Sequence, residues 1–360
     1  MNRQAATPKG FDRRIRDLQF KRVRDPRQSA KVRHQLPTML TVLVAGLVTA
    51  VRSLRNLEHR SSQFIERGGF EAYGLETPIA DNTFGKVIPR LEVSPLQKRL
   101  VAQVKAEHRR KNLKPMGLPF ATAAIDGKNV ATLRWHDLCR VLGMDSAKAK
   151  AGVVKRKLRQ SFPNVQLCKP EQGKPYALAR AHTVTLTSSR AAVCIYQRPI
   201  EGRTNEIGAM PSLLKELRAA YSRTRLFEIL TMDAGNTSQA VARQIVDELE
   251  LDYFAQIKSE HGEVHREAVR LLSRKRPSTA LATHSDTQNG AAVTYHVWTA
   301  DLVEHGWMDW NHAHQLVRVR REAHDPETGE VTVGNRYYVS SKSVSELTAE
   351  HVLQVSRGHW

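Results

Sequence analysis

A chain of 360 residues exceeds one ordinary domain, so two or three domains are the starting expectation, and 41% hydrophobic residues are enough to bury a core. The 56 Lys+Arg against 36 Asp+Glu leave a net charge of +20, which implies a polyanionic partner, nucleic acid ahead of an anionic membrane surface. Cys139, Cys168 and Cys194 are too far apart for a disulfide framework or zinc site, and the longest uncharged run, the 16 residues 36–51, contains Pro37 and Gly46 and falls short of the roughly 20 that span a bilayer.

Residues 1–34 hold eleven Lys or Arg against three Asp, are polar rather than signal-like, and show no sustained apolar period. They read as a basic arm, flexible or partly helical. It is either a solvated tail or a phosphate-binding arm, the second using Arg13, Arg14, Arg16, Lys21, Arg22 and Arg24. From 35 to 114, apolar residues recur at three and four in 36–57, SSQFIERGGF, TFGKVIPRLE and SPLQKRLVAQVKAEHRR, which predicts a small helical domain with 36–51 as a buried helix. A helix-turn-helix is conceivable around PIADNTFGKVIPRL. Lacking base-reading residues, plain helical packing is the better reading.

RRKNLKPMGLP marks a boundary before FATAAIDGK, where Ala121 to Ile125 read as a strand, Asp126 as its end and Gly127 as a sharp exit. The 53 residues 129–181 are the least readable stretch and include Lys148 to Arg159, six basic residues without an acid. That stretch is a solvated face by default, or a second phosphate-contacting patch through Lys155, Arg156, Lys157 and Arg159. HTVTLTSS and RAAVCIYQRP predict a hairpin, and NEIGAMPSLLKELRAAY a helix starting at Ser212 after Pro211.

RLFEILTMDAG has the near-continuous apolar run of a strand covered on both faces, ending at Asp233. GNTS then turns and caps the helix SQAVARQIVDELE, and the strand DYFAQIK follows. AAVTYHVWTADL, HQLVRVRREA and EVTVGNRYYVSS read as later strands, DPETG as the turn between the last two, and SVSELTAEHVLQVSRGHW as the start of a helix. The whole predicts an α/β mixed sheet with flanking helices.

Two aspartates at strand ends offer hard oxygen donors suited to Mg²⁺ or Mn²⁺ and to phosphoryl transfer, although an Asp after a strand is more often a turn former or helix cap. His312 and His314 read as a polar turn rather than metal ligands. Ser188–Ser189 lacks the glycines of a nucleophile elbow, Gly-rich phosphate loops are absent, and Trp298, Trp307 and Trp310 read as packing residues, with stacking on an unpaired base as the alternative.

AIDGK, TNEIGAMPSLL, LTMDAGNTSQAVARQIV, YFAQIKSE, QLVRVRRE, RYYVSS and RGHW occur in the order seen in DDE-type insertion-sequence transposases, in the branch of the H-repeat-associated proteins. DPRQSAKVRHQL, SLRNLEHR and PIADNTFGKVIPRL resemble that family's N-terminal associated domain, so the likeness runs from about Asp25 onward. Beyond the basic arm at 1–34, the resemblance implies a helical associated domain at 35–114 and a ribonuclease H-like catalytic domain at 115–360; the stretch 129–181 departs from the family in being longer than its compact connection, and it and a β-rich stretch at about 280–341 read as insertions. It further implies double-stranded DNA partners (terminal inverted repeats and target DNA), a homodimer, a bacterial cytoplasmic, nucleoid-associated location, and Mg²⁺- or Mn²⁺-dependent cleavage and strand transfer. By position, Asp126 and Asp233 match the first two catalytic, metal-ligating acids, Glu206 the acid of N-E-I, and Lys258 a lysine placed to touch a phosphate. Plain surface roles for Glu206 and Lys258 stand beside these.

The family's third acid follows R-x-H-W, and here Trp360 is the last residue. The expectation is therefore a C-terminally truncated transposase, impaired in transposition while keeping DNA affinity. The alternative is a non-catalytic DNA-binding remnant or repressor, with another ribonuclease H-like nuclease as a third reading.

Overall fold

The computed structural model describes residues 7–288, 290–302 and 308–359. The chain divides into two compact units, residues 1–110 and 111–360.

The first unit is helical: α1 (Thr7–Leu18), α2 (Leu36–Val48), α3 (Leu54–Glu66), α4 (Asp81–Val87) and α5 (Val93–Arg109). Helix α2 is apolar on nearly every side because it lies at the centre, where Leu36, Met39, Leu40 and Val42 meet Leu57, Leu75, Ile79 and Phe84. Gly46 lets α3 approach: a Cβ there would lie 2.3 Å from Leu57 Cδ1. The segment expected to be an arm is instead partly built into this core. Ile15, Phe20 and Val23 are buried, the Tyr73 hydroxyl donates to Asp12, and Arg110 pairs with Asp17 at 2.5 Å. Phe11, Ile15 and Leu18, spaced four and three apart, form a short inward stripe that the surrounding cations obscure, and Arg13, Arg14, Arg16, Lys21, Arg22 and Arg24 all remain exposed. No helix among the described residues is long and apolar enough to cross a membrane.

The second unit is built on a ten-stranded mixed sheet with helices packed on it. In chain order the elements are β1 (Thr122–Arg134), α6 (Trp135–Val141), α7 (Ala151–Ser161), β2 (Val165–Cys168), β3 (Tyr176–Leu186), β4 (Val193–Ile200), α8 (Glu206–Tyr221) and β5 (Ile229–Met232). They continue with α9 (Gln239–Asp247), β6 (Asp252–Ile257), α10 (Glu263–Leu272), β7 (Ala282–Gln288), β8 (Ala291–Asp301), β9 (Gln315–His324), β10 (Val331–Ser340) and α11 (Ala349–His359). The strand order is β2-β3-β1-β5-β6-β10-β9-β8-β7, with β4 also on β3. β1, β5 and β6 are mutually parallel, β3 and β10 join them antiparallel, and β4 pairs antiparallel with β3, so that it runs in the direction of β1. All four residues of β5 are buried, as its apolar run requires of a central parallel strand. One face packs on α11, whose Val352, Leu353 and Val355 meet Phe120, Ile229, Val297 and Val317.

Two local expectations are corrected, and one strand, β7, is added. β1 does not stop at Asp126: its pairing with β5 ends at Ile125, but its pairing with β3 continues to Arg134, so Gly127 lies within the strand. α8 begins at Glu206 rather than Ser212, because the Asn205 side chain caps it by accepting from the Gly208 N–H at 2.9 Å, and the helix carries Pro211 inside it. β7 has no apolar signal, since it is a sheet-edge strand whose residues after Ala282 are half-buried or exposed.

Arg318, buried within β9, stacks over Trp298 at 4.7 Å and donates through Nη1 to the carbonyls of Leu272, Ser273 and Lys275 at 2.8, 2.8 and 3.1 Å. It thereby satisfies the C-terminal end of α10 with a cation, the favourable sign there. Arg318→Leu is expected to cost about 3 kcal/mol by stranding those carbonyls. Urea unfolding measures this, and an unchanged midpoint would remove the capping role.

Candidate functional site

The site begins with register. Thr122 to Ile125 of β1 pair in parallel with Ile229 to Met232 of β5, so the next residue on each strand is an aspartate, Asp126 and Asp233. The two acids singled out from sequence therefore leave neighbouring strands at one level, at the carboxyl end of the parallel segment, where open α/β sheets place ligands.

The turn after β5 fixes Asp233. Its Oδ1 accepts from the Asn236 N–H at 3.1 Å and from Asn236 Nδ2 at 2.7 Å, while the Thr237 hydroxyl donates to its carbonyl at 2.7 Å. Ser238 then caps α9 by accepting from the Val241 N–H at 3.2 Å. Asp126 is less constrained, 46% exposed, with the Lys128 ammonium 3.5 Å from its Oδ2.

Glu206 joins them from the first turn of α8. Its carboxylate lies over Gly127, where a Cβ would come within 2.2–2.6 Å of the carboxyl atoms. A Cβ on Gly235 would stand 3.6 and 3.9 Å from Asp233 Oδ2 and Oδ1 and 4.0 Å from Glu206 Oε2, so the two carboxylates border one small space. Burial, then the charges of Asp233 and Asp126, raise the Glu206 carboxyl above its ordinary range, opposed by Arg180 at 4.0 Å. Arg180 is itself held by Gln166 Oε1 and the Thr204 carbonyl at 2.8 and 2.9 Å.

An acid whose folded value is raised holds more protons folded than unfolded, so it subtracts stability as pH rises through the window between the two values. Glu206→Gln is therefore expected to be more stable than the parent at neutral pH and to converge with it in acid, as measured by chemical unfolding across pH. A difference independent of pH would show that the crowding does not act on Glu206.

Hard carboxylate oxygens that repel one another fit a hard divalent cation in chemistry, with Asp126 and Asp233 as the residues to hold it. As the side chains stand, no group of three His, Cys, Asp or Glu among the described residues is arranged to hold a metal ion.

The other candidates disperse. Lys258 is exposed just after β6, at the same end of the sheet as Asp233. Lys155, Arg156, Lys157 and Arg159 form the exposed face of α7, whose Val154 and Leu158 pack on Trp135, Leu138 and Cys139 in a small core of their own. His312 occupies a turn in the left-handed region (φ 56°) and pairs with Asp247 at 2.6 Å. Trp298 is a buried packing residue, and Trp307 lies outside the described residues. Arg180 and Asn236 escaped the sequence reading because their roles arise only when β3 and the β5 turn meet Glu206 and Asp233.

No family model matches the chain. Over 350 residues it is 21% identical to a protein named "Putative transposase YncI" from Escherichia coli O157:H7, covering 93% of this chain and 74% of that protein. Over 244 residues it is 22% identical to a protein of the same name from Escherichia coli strain K12, covering 67% of this chain and 76% of that one. The chain is thus similar to proteins named as transposases.

Proposed function

We propose that residues 111–360 are the core of a DDE-class transposase, which binds element ends and cuts and joins DNA with Mg²⁺ or Mn²⁺ held by Asp126 and Asp233. The observation that carries the reading is the delivery of these two carboxylates from adjacent parallel strands to one level of the sheet. An antiparallel β4-β3-β1 meander continued by parallel β5 and β6 supports a ribonuclease H-like core, and the names of both relatives support transposition.

A bound divalent ion would supply charge neutralisation and Lewis acidity at a DNA phosphodiester. Asp126 and Asp233 would orient it, Asp233 through Oδ2, since Oδ1 is taken by Asn236. Glu206, its basicity raised by burial and like charge, would accept a proton from an attacking water or hydroxyl. Lys128 and Lys258 present ammonium groups to phosphates at the same end of the sheet. Arg13, Arg14, Arg16, Lys21, Arg22 and Arg24 of the first unit and the basic face of α7 supply backbone affinity without sequence preference.

A DNA-binding protein without cleavage is the second reading, favoured by the lack of a closed three-ligand group among the described residues. The deciding experiment incubates the purified chain with plasmid DNA carrying the element's ends, with and without Mg²⁺. Metal-dependent strand cleavage lost in Asp126→Ala supports the transposase reading. Salt-sensitive binding with no cleavage, indifferent to metal and to Asp126→Ala, selects the second.

A further inference from the structure

We propose that His182 and Asn236 are positioning residues for Asp233: together they tie up one carboxylate oxygen and turn the other toward the space it shares with Glu206. This rests on the reading of Asp233 as a cation ligand.

His182 stands on β3 opposite Gly127 of β1, and both His182 and Asn236 are completely buried. His182 Nε2 lies 3.0 Å from Asn236 Oδ1, and Asn236 Nδ2 lies 2.7 Å from Asp233 Oδ1. The direction of each bond follows from what each group can do. A carboxylate only accepts, so the Asn236 amide must donate to Asp233. Its carbonyl oxygen, which also only accepts, must then face His182, and Nε2 must carry the proton. The imidazole is thereby the Nε2–H tautomer, with Nδ1 a buried lone pair that has no partner among the described residues. Burial favours the same neutral form.

A leucine or phenylalanine would fill this position without an orphaned nitrogen, so a histidine kept here is explained by the bond it donates rather than by the volume it fills. What that bond does is orient. Without it only Asp233 itself opposes a half-turn of the Asn236 carboxamide, which would bring the amide oxygen against the carboxylate it now holds. With it, Asp233 Oδ1 accepts two N–H donors from Asn236, and Oδ2, the nearer of the two oxygens to the space above Gly235, carries neither of them. Partners of this kind, one shell behind a metal-ligating carboxylate, are known to set how well the ligand is presented.

The test measures binding of Mn²⁺ alone to the full chain by electron paramagnetic resonance, with thermal unfolding of the metal-free proteins in parallel. Asn236→Ala and His182→Phe are expected to weaken Mn²⁺ binding on the order of tenfold to a hundredfold. His182→Gln, whose amide can donate to the same oxygen, is expected to restore most of it. If His182→Phe does not fold, Asn236→Ser takes its place. Asp233→Ala is the control. If it abolishes Mn²⁺ binding while Asn236→Ala and His182→Phe bind as the parent does, only the positioning role falls, and any loss of thermal stability in them marks a purely structural network. If the folded parent binds no Mn²⁺, or Asp233→Ala binds it unchanged, the reading of Asp233 as a ligand falls and this inference with it. Imidazole nitrogen shifts showing the proton on Nδ1 would also overturn it.

Discussion

Asp233→Asn is expected to lower metal-dependent DNA cleavage by about a hundredfold to a thousandfold, the usual cost of losing one fixed electrostatic group. The amide keeps an oxygen for the Asn236 donors, so the turn after β5 and the cap of α9 should survive and the unfolding midpoint should stay close to that of the parent. What it removes is the negative charge, and with it half of the pair delivered by β1 and β5. Asp233→Ala should lose the same activity and some stability as well, because the buried side-chain amide of Asn236 loses the acceptor of its Nδ2. Asp126→Ala should lose activity at little cost in stability, since that side chain is 46% exposed and its partner is a solvated lysine. Cleavage kinetics on the same DNA, with DNA affinity measured alongside, distinguish lost chemistry from lost binding. A parent-like rate in Asp233→Asn would remove this carboxylate from the catalytic machinery.

The second large effect concerns α7. Replacing Lys155, Arg156, Lys157 and Arg159 together by alanine is expected to weaken DNA binding on the order of a hundredfold to a thousandfold at physiological salt, because each phosphate contact releases counterions. The slope of log affinity against log salt should become shallower by up to about 3.6 if all of them touch phosphates. Val154 and Leu158 hold the helix on Trp135, Leu138 and Cys139 and are untouched by the change, and alanine favours the helix, so stability should not fall. Binding measured over a range of salt reads both quantities. An unchanged slope would return this face to plain solvation and leave the exposed cations of the first unit, with Lys128 and Lys258, as the proposed phosphate contacts.

The strand run of β5, its terminal aspartate, the turn and the α9 cap were all legible, because burial on both faces, a polar stop and a serine cap are local signals. The β3–β4 and β9–β10 hairpins were legible for the same reason, each strand having its partner a few residues away. The edge strand β7 was not: its pairing with β8 is made by backbone bonds, and its side chains face water too often to leave an apolar trace. The start of α8 was misplaced because proline is a strong local marker, whereas the decisive signal was the Asn205 cap six residues earlier.

Local chemistry written in the sequence by itself determined the excess of positive charge, the two aspartates, the helical first unit and the mixed α/β second unit. Only the tertiary structure decided that Asp126 and Asp233 stand side by side, that Glu206 reaches them across a missing Cβ at Gly127, and that His182 sits behind Asn236. The physical reason is that strand order and register bring together residues far apart in the chain, and no periodicity within one segment records which strand will lie beside it.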